Sequence, residues 1–358
     1  MGQAANKNLD DPQAVSAMDR ADMLGKISRL AQQCREGWRL GLGWKVPDRF
    51  KNCQKLLVTG MGGSAIGGDL VAGLFGVALS RPMAVNRNDQ LPSWVDRETL
   101  LLAVSYSGNT EETLSACDEA ARRKIPTLAV SSGGKLETWA RRKGVPHLQI
   151  PPGWPPRAAL GYTTFVPAGL FAQWGWLRGG RPPLEGALDA LELFIGEQLS
   201  RSVPESRNPA KKIAVELLHR LPVLYGACEG YEGIVYRWRT QLEENAKTLA
   251  FHHLFPEMTH NEISGWGRPS ALMKRCTALF LEDPAISKRV RSRMEFVARL
   301  AAREGADVVR VSVPGQSIFE RRMKLIALGD FASVYLGILY RVDPTPVERV
   351  EALKRWLR

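Results

Sequence analysis

From residue 56 to residue 151, short apolar runs alternate with helix-patterned segments, and that alternation leaves few folds open. The strands expected are 56–60, 82–86, 100–106, 126–131 and 147–151, with helices at 65–76, 110–123 and 136–143. Brief apolar strands separated by helices specify a parallel sheet covered on both faces, the doubly wound α/β arrangement. At two strand ends the chain enters loops of glycine and hydroxyl residues. Gly60-Met61-Gly62-Gly63-Ser64 follows Leu56-Leu57-Val58, and Ser105-Tyr106-Ser107-Gly108-Asn109-Thr110 follows the run Leu100 to Val104. Such a loop ahead of a helix turns backbone N–H groups and the positive end of the dipole toward an anion, without needing a metal. Gly63 is one of the amide-bearing residues, and Ser64, Ser105, Ser107 and Thr110 add hydroxyl donors. One loop of this kind is weak evidence. Two on successive strand ends of one sheet point to a phosphorylated ligand.

The first loop also satisfies Gly60-x-Gly62-x-x-Ala65, a dinucleotide fingerprint, with Asp89 near the distance of a ribose-binding acid. A nicotinamide-dependent enzyme is therefore a competing reading. A dinucleotide site needs neither the loop Ser105 to Thr110 nor a hydroxyl at position 64. Ordinary strand-to-helix turns are the bland alternative.

At 358 residues the chain exceeds one ordinary core and fits two domains of about 150 to 180 residues. A hydrophobic fraction of 44% with 24% charged residues is that of a globular protein, and no apolar run approaches the roughly 18 residues that span a bilayer. The early acids Asp10, Asp11, Asp19 and Asp22 differ from the basic start of a signal peptide, so a cytoplasmic protein is expected. Five scattered cysteines without a C-x-x-C pair argue against a disulfide framework and a cysteine zinc site. The net charge of +12 invites a nucleic-acid partner, but the basic residues come in small groups such as Arg122-Arg123-Lys124, with no DNA- or RNA-binding motif beside them. Neither nucleic acid nor membrane is expected as a partner; the charge favours attraction of an anionic substrate.

Residues 12–40 read as one amphipathic helix, within an N-terminal helical segment spanning 1–45. A first domain follows over 46–181. It includes the stiff loop Pro151-Pro152-Gly153-Trp154-Pro155-Pro156, a helix at 163–178 and a linker at Arg178 to Pro183. A second domain, 182–358, repeats the theme: a strand from Leu221 to Gly226, a long helix at 232–253, a strand from Thr277 to Glu282 and a helix at 286–304. A strand from Asp307 to Pro314 comes next, then helices at 317–341 and 346–357.

Several motifs stand in order along this frame. Gly62-Gly63-Ser64 with Ser105 to Thr113 resembles the phosphosugar signature of sugar isomerase (SIS) domains. Ser131-Ser132-Gly133-Gly134-Lys135-Leu136, Pro156-Arg157-Ala158, Gln241-Leu242-Glu243-Glu244-Asn245-Ala246-Lys247 and Pro256-Glu257-Met258-Thr259-His260-Asn261-Glu262 follow. Together they resemble the bifunctional phosphoglucose/phosphomannose isomerases, from about residue 10 onward. The last two motifs are the specific ones. The resemblance implies two SIS-type doubly wound domains and an isomerase of glucose 6-phosphate and mannose 6-phosphate with fructose 6-phosphate. It also implies no cofactor, no metal, and a homodimer in which His260 reaches the neighbouring subunit.

Aldose–ketose isomerisation moves a proton between C1 and C2 through an enediolate after ring opening. That requires a carboxylate base, a proton relay for the ring oxygen and a cation for the developing charge. The resemblance assigns Glu244 as the base, His260 as the ring-opening histidine, Arg157 as the cation and Lys354 as a substrate contact. By spacing alone, Glu244 lies opposite the stripe Val235, Trp238, Leu242, Ala246, Leu249, as a solvated glutamate would. Arg157 could be a surface arginine, and Lys354 could suit an exposed helix end. The group His252-His253, Glu257 and His260 admits a metal reading, but it lacks an i, i+4 histidine pair; His252 and His253 are expected at a helix end. In the family a threonine, where ordinary phosphoglucose isomerases carry glutamine, is associated with admitting the mannose epimer; Thr345 is nearby, at a longer spacing to Lys354 than the family's, and Val347 falls closer to the place. Two alternatives remain open: another SIS phosphosugar isomerase, or a non-catalytic sugar-phosphate-binding regulator.

Overall fold

The computed structural model describes residues 9–357; the start of the expected N-terminal segment, 1–8, and Arg358 lie outside the described residues. The region expected as one helix is three: α1 (Pro12–Met18), α2 (Met23–Ser28) and α3 (Leu30–Gly43). The first break has a local cause. The Asp19 carboxylate accepts from Met23 N at 2.6 Å and Leu24 N at 2.8 Å, and Asp22 takes a left-handed φ of 55°. An aspartate that serves the amides of the next turn competes with the continuing helix.

Two compact units emerge: residues 29–189, and residues 190–357 together with 9–28. The segment expected at 1–45 is thus shared between them.

The first unit contains β1 (Lys55–Thr59), α4 (Gly62–Phe75), β2 (Met83–Asn86), β3 (Thr99–Val104), α5 (Glu111–Arg123), β4 (Thr127–Ser131), α6 (Gly134–Lys143), β5 (His147–Gln149) and α7 (Leu160–Gln173). Its five-stranded sheet has the order β2-β1-β3-β4-β5, parallel throughout. Every residue of β3 and β4 is buried, as expected of strands covered on both faces. The chain runs outward from β1 to β2 and then returns to lay β3 on the other side of β1. The crevice above β1 and β3 is therefore the topological switch point, where ligands bind in open α/β sheets. Helix α3 packs along α7 at very close range. A Cβ on Gly37 would stand 2.9 Å from Gly161 O, and one on Gly41 2.2 Å from Val166 O, so glycine is required at both crossings.

The second unit holds α8 (Glu185–Phe194) from Ala190 onward, α9 (Pro209–Leu217), β6 (Leu221–Ala227), α10 (Glu232–Asn245), β7 (Phe251–Phe255), α11 (Ser270–Met273), β8 (Cys276–Leu281), α12 (Lys288–Arg303), β9 (Asp307–Val311), α13 (Ile318–Leu339) and α14 (Glu348–Trp356). Its four-stranded parallel sheet runs β7-β6-β8-β9. The helix expected over 232–253 ends at Asn245. Lys247 turns to a left-handed φ of 56°, and its Nζ donates to Glu244 O at 2.5 Å, Pro346 O at 2.6 Å and Pro344 O at 3.2 Å. The freed chain forms edge strand β7, so His252 and His253 lie on a strand and not at a helix end. Leu249, expected in the apolar stripe, lies beyond the helix and is 61% exposed, whereas Val235, Trp238, Leu242 and Ala246 are buried.

Among the described residues no helix is long and apolar enough to cross a membrane. The five cysteines are unpaired, and all but Cys228 are buried.

Candidate active site

In the first unit, both glycine–hydroxyl loops stand where the sequence expects them, at the C-terminal ends of neighbouring strands β1 and β3. Met61, the N-cap of α4, offers no side-chain acceptor, so the first-turn amides have no capping group. The loops are tied together: Tyr106 N donates to Ser64 Oγ at 3.1 Å. That bond occupies an Oγ lone pair and leaves the Ser64 hydroxyl proton available to an anion. Ser105 Oγ and Thr110 Oγ1 lie 2.9 Å apart, with Ser105 and Ser64 buried. Ser107 is exposed at the loop tip, its Oγ accepting from Asn109 N at 3.2 Å.

A third loop braces the second. Leu136 N donates to Gly108 O at 2.9 Å, Lys135 N to Asn109 Oδ1 at 3.1 Å, and Ser132 N and Oγ both donate to Tyr106 O, at 2.9 and 2.7 Å. Gly108 has a φ of 67°, and a Cβ there would stand 1.8 Å from Gly133 O, so only glycine fits. Sequence reasoning placed Ser132 in a motif without a role; its signal was a hydroxyl after a buried strand, as at Ser64.

Arg157 is 4% exposed, in the short 3-10 turn Pro156–Ala158, and is not a surface arginine. Gln33 grips this turn from α3: its Nε2 donates to Ala158 O at 2.8 Å, and its Oε1 accepts from Gly161 N at 3.2 Å. On the other side the turn lies against the start of α4, where a Cβ on Gly63 would meet Pro156 O at 3.1 Å and Arg157 Cα at 3.2 Å. Gly63, Ser64, Ser105, Thr110 and the Arg157 turn are therefore assembled in one unit.

In the second unit Glu244 occupies the last turn of α10, half-buried, and lines a cavity of about 720 Å³ with Glu243, Lys247, Asp343, Val347 and Arg349. Burial, with a contribution from Glu244, raises the pKa of Glu243 while Arg239 opposes it. Val347 faces this cavity. Thr345 N donates to Asp343 Oδ1 at 2.9 Å.

His260 closes the 3-10 turn Glu257–His260 after β7 and is exposed. Its loop is clamped to the sheet by Glu262, the last residue of the motif that begins at Pro256. Tyr225 OH donates to Glu262 Oε1, His253 Nδ1 lies 2.6 Å from Glu262 Oε2, and Trp266 Nε1 donates to Tyr225 OH at 3.2 Å. His253 is thereby committed to the clamp, and among the described residues no group of three His, Cys, Asp or Glu side chains is placed to hold a metal ion. Lys354 is exposed on α14, with Nζ 2.9 Å from Glu351 Oε1.

The second sheet has its own switch point, between β6 and β8, but no glycine–serine loop there. Arg322 lies 4.5 Å from the Tyr231 ring centroid and donates to Glu229 O, and Arg321 pairs with Asp283 at 2.8 Å. The protein's own cations occupy that crevice.

Residues 206–357 match the family model described as the bacterial phospho-glucose isomerase C-terminal SIS domain. The chain is 36% identical over 335 residues to a bifunctional phosphoglucose/phosphomannose isomerase of Caldicellulosiruptor bescii, covering 94% of this chain and 98% of that one. A relative of the same name from Aquifex aeolicus is 33% identical, over 85% of this chain and 90% of its own. The fold matches the crystal structure of a hypothetical protein from Thermus thermophilus with a TM-score of 0.72 and 17% identity, over 98% of this chain and 93% of that one. The dinucleotide reading built on Gly60, Gly62, Ala65 and Asp89 is set aside by these matches. With its two parallel sheets flanked by helices and its full-length kinship, the chain belongs to the bifunctional phosphoglucose/phosphomannose isomerase family.

Proposed function

We propose that this phosphosugar isomerase interconverts glucose 6-phosphate and mannose 6-phosphate with fructose 6-phosphate through a cis-enediolate. The observation that carries the reading is the near end-to-end similarity, over 94% of the chain, to a bifunctional isomerase. The hydroxyl-lined switch point of the first unit supports it.

Ser64, Ser105, Ser107, Thr110 and the amides around Gly63 grip the substrate phosphate. His260 relays the proton that opens the ring, since an imidazole presents one nitrogen that accepts and one that donates. Glu244 then removes the C2 proton of the open-chain aldose. The C–H electron pair moves into the C1–C2 bond and the carbonyl π pair onto O1. Arg157 stabilises the resulting anion; a proton passes from the O2 hydroxyl to O1, the O2 electron pair closes a carbonyl at C2, and the C1–C2 π pair takes back at C1 the proton held by Glu244, giving the ketose. The burial of Arg157 supports this role, because a cation held in a stiff turn stabilises charge without reorganising. Lys354 is proposed as a peripheral substrate contact. The acid–base and charge roles are all filled by side chains, so no cofactor or metal is invoked. The proposal includes a cytoplasmic homodimer in which His260, exposed on its own subunit, serves the neighbouring one.

A coupled assay tests the reading: fructose 6-phosphate is supplied and glucose 6-phosphate is followed through an NADP-dependent dehydrogenase, with mannose 6-phosphate assayed separately. Turnover of both epimers is expected. Tight sugar-phosphate binding without turnover would favour a non-catalytic regulator.

A further inference from the structure

Tyr106 lies in the middle of the phosphate loop, between Ser105 and Ser107, and is 5% exposed. Its backbone serves the loops: its N–H donates to Ser64 Oγ and its C=O accepts from Ser132 N and Oγ. Its side chain leaves them. The phenol donates to Pro151 O at 3.0 Å and accepts from Trp154 N at 2.8 Å. Those two groups belong to the proline-rich stretch immediately ahead of Arg157, where prolines leave few backbone N–H groups available to anchor it. The pair uses both capacities of a neutral phenol, one donor and one acceptor. Burial raises the phenol pKa, so the donated proton stays in place.

We infer that Tyr106 is a positioning residue for isomerisation, holding the Arg157 turn in register with the phosphate loop through its bonds to Pro151 and Trp154. This rests on the proposed roles of Arg157 and of the loop, and it adds a residue that touches neither the phosphate nor the reacting carbons with its side chain. A single residue spans both tasks. Its backbone shapes the anion grip, and its hydroxyl sets where the cation for the enediolate stands. The two functions are therefore separable by removing one oxygen atom.

Tyr106→Phe keeps the ring buried and leaves every backbone bond of the loop intact. In the full-length protein, kcat for fructose 6-phosphate is expected to fall by about tenfold or more, as for a misplaced catalytic group. Competitive inhibition by inorganic phosphate is expected to stay within about twofold of wild type, since the loop keeps its amides and hydroxyls. A double-mutant cycle with Arg157→Lys supplies the decisive readout, because residues that act through one another are not additive. Tyr106→Phe should cost little more once Arg157 has been replaced. Fully additive effects, an unchanged kcat, or parallel loss of phosphate inhibition would each overturn the inference, and circular dichroism distinguishes a folded variant from a collapsed one. Absence of wild-type turnover would instead overturn the isomerase reading, and this inference with it.

Discussion

Gly63 and Arg157 meet backbone to backbone: a Cβ on the glycine would stand 3.2 Å from the arginine Cα and 3.1 Å from Pro156 O. The start of α4 and the turn that carries the buried Arg157 are thus packed together. Neither neighbour yields easily, since Pro155 and Pro156 stiffen the turn and Gln33 holds it from behind. Gly63→Ala is expected to displace the turn by a few tenths of an ångström and to lower kcat/KM by about tenfold or more. Steady-state kinetics against wild type checks this; equal activity would mean the turn relaxes freely.

Glu244→Gln preserves size and removes the carboxylate proposed as the base. Isomerisation is expected to drop by about a hundredfold to ten-thousandfold, the range of a lost general base. Exchange of the C2 proton with deuterated solvent, read by NMR, should vanish, while inhibition by inorganic phosphate stays near normal. Retained exchange would move the base to another side chain, with Glu243 the first to examine.

The helix that carries Glu244 is fastened by a buried polar row. Arg237 Nε and Nη2 donate to Asp330 Oδ1 and Oδ2 at 2.8 and 2.7 Å, Gln241 Nε2 donates to Oδ1 at 3.0 Å, and Asn245 Nδ2 donates to Ser333 Oγ at 2.9 Å. Burial raises the Asp330 pKa, and Arg237 and Gln241 pull it back down. Asp330→Ala leaves a buried guanidinium without its carboxylate and is expected to cost about 3–5 kcal/mol of stability. Replacing both partners with apolar residues of similar volume should recover much of that loss. Urea unfolding of wild type and the two variants decides it; a loss below about 1 kcal/mol for Asp330→Ala would place the stability of α10 elsewhere.

Burial, with Arg239 and His253 nearby, lowers the His252 pKa to about 4 from the ordinary imidazole value of 6.5. The unfolded chain therefore binds more protons than the folded one between these values. The sign follows: stability from this group is present above 6.5 and is lost as pH falls toward about 4. His252→Gln removes that term, so the variant should gain on wild type as pH is lowered through the window. Melting temperatures of both proteins at matched pH and ionic strength test it, and a difference independent of pH would count against a half-buried imidazole held neutral.

Much of the first unit was legible in its residues. All five strands expected between 56 and 151 are present, and the loops at 60–64 and 105–110 sit on the predicted strand ends, because burial on both faces demands apolar runs and glycine punctuates their ends. The same reasoning failed at Asp19 and Lys247. Each break depends on a side chain bonding to backbone groups, and for Lys247 two of those groups, on Pro344 and Pro346, come from a distant segment. Periodicity reports neighbours along a helix face and carries no information about such partners.

Glu244 shows the same division. Its position away from the apolar stripe was readable, but its half-buried place in a cavity was not, since Asp343, Val347 and Arg349 reach it only through the fold.

By itself, the sequence determined which segments become strands, where anion-ready loops interrupt them, and which carboxylate, histidine and arginine stand in the family's motifs. Only the tertiary structure decided that Tyr106 touches both Ser64 and the Arg157 stretch, that Arg157 is buried, and that Glu262 clamps the His260 loop. The reason is physical. A strand's place in a sheet is set by crossovers that bring remote loops side by side, and hydrogen bonds between those loops exist only once the sheet has closed.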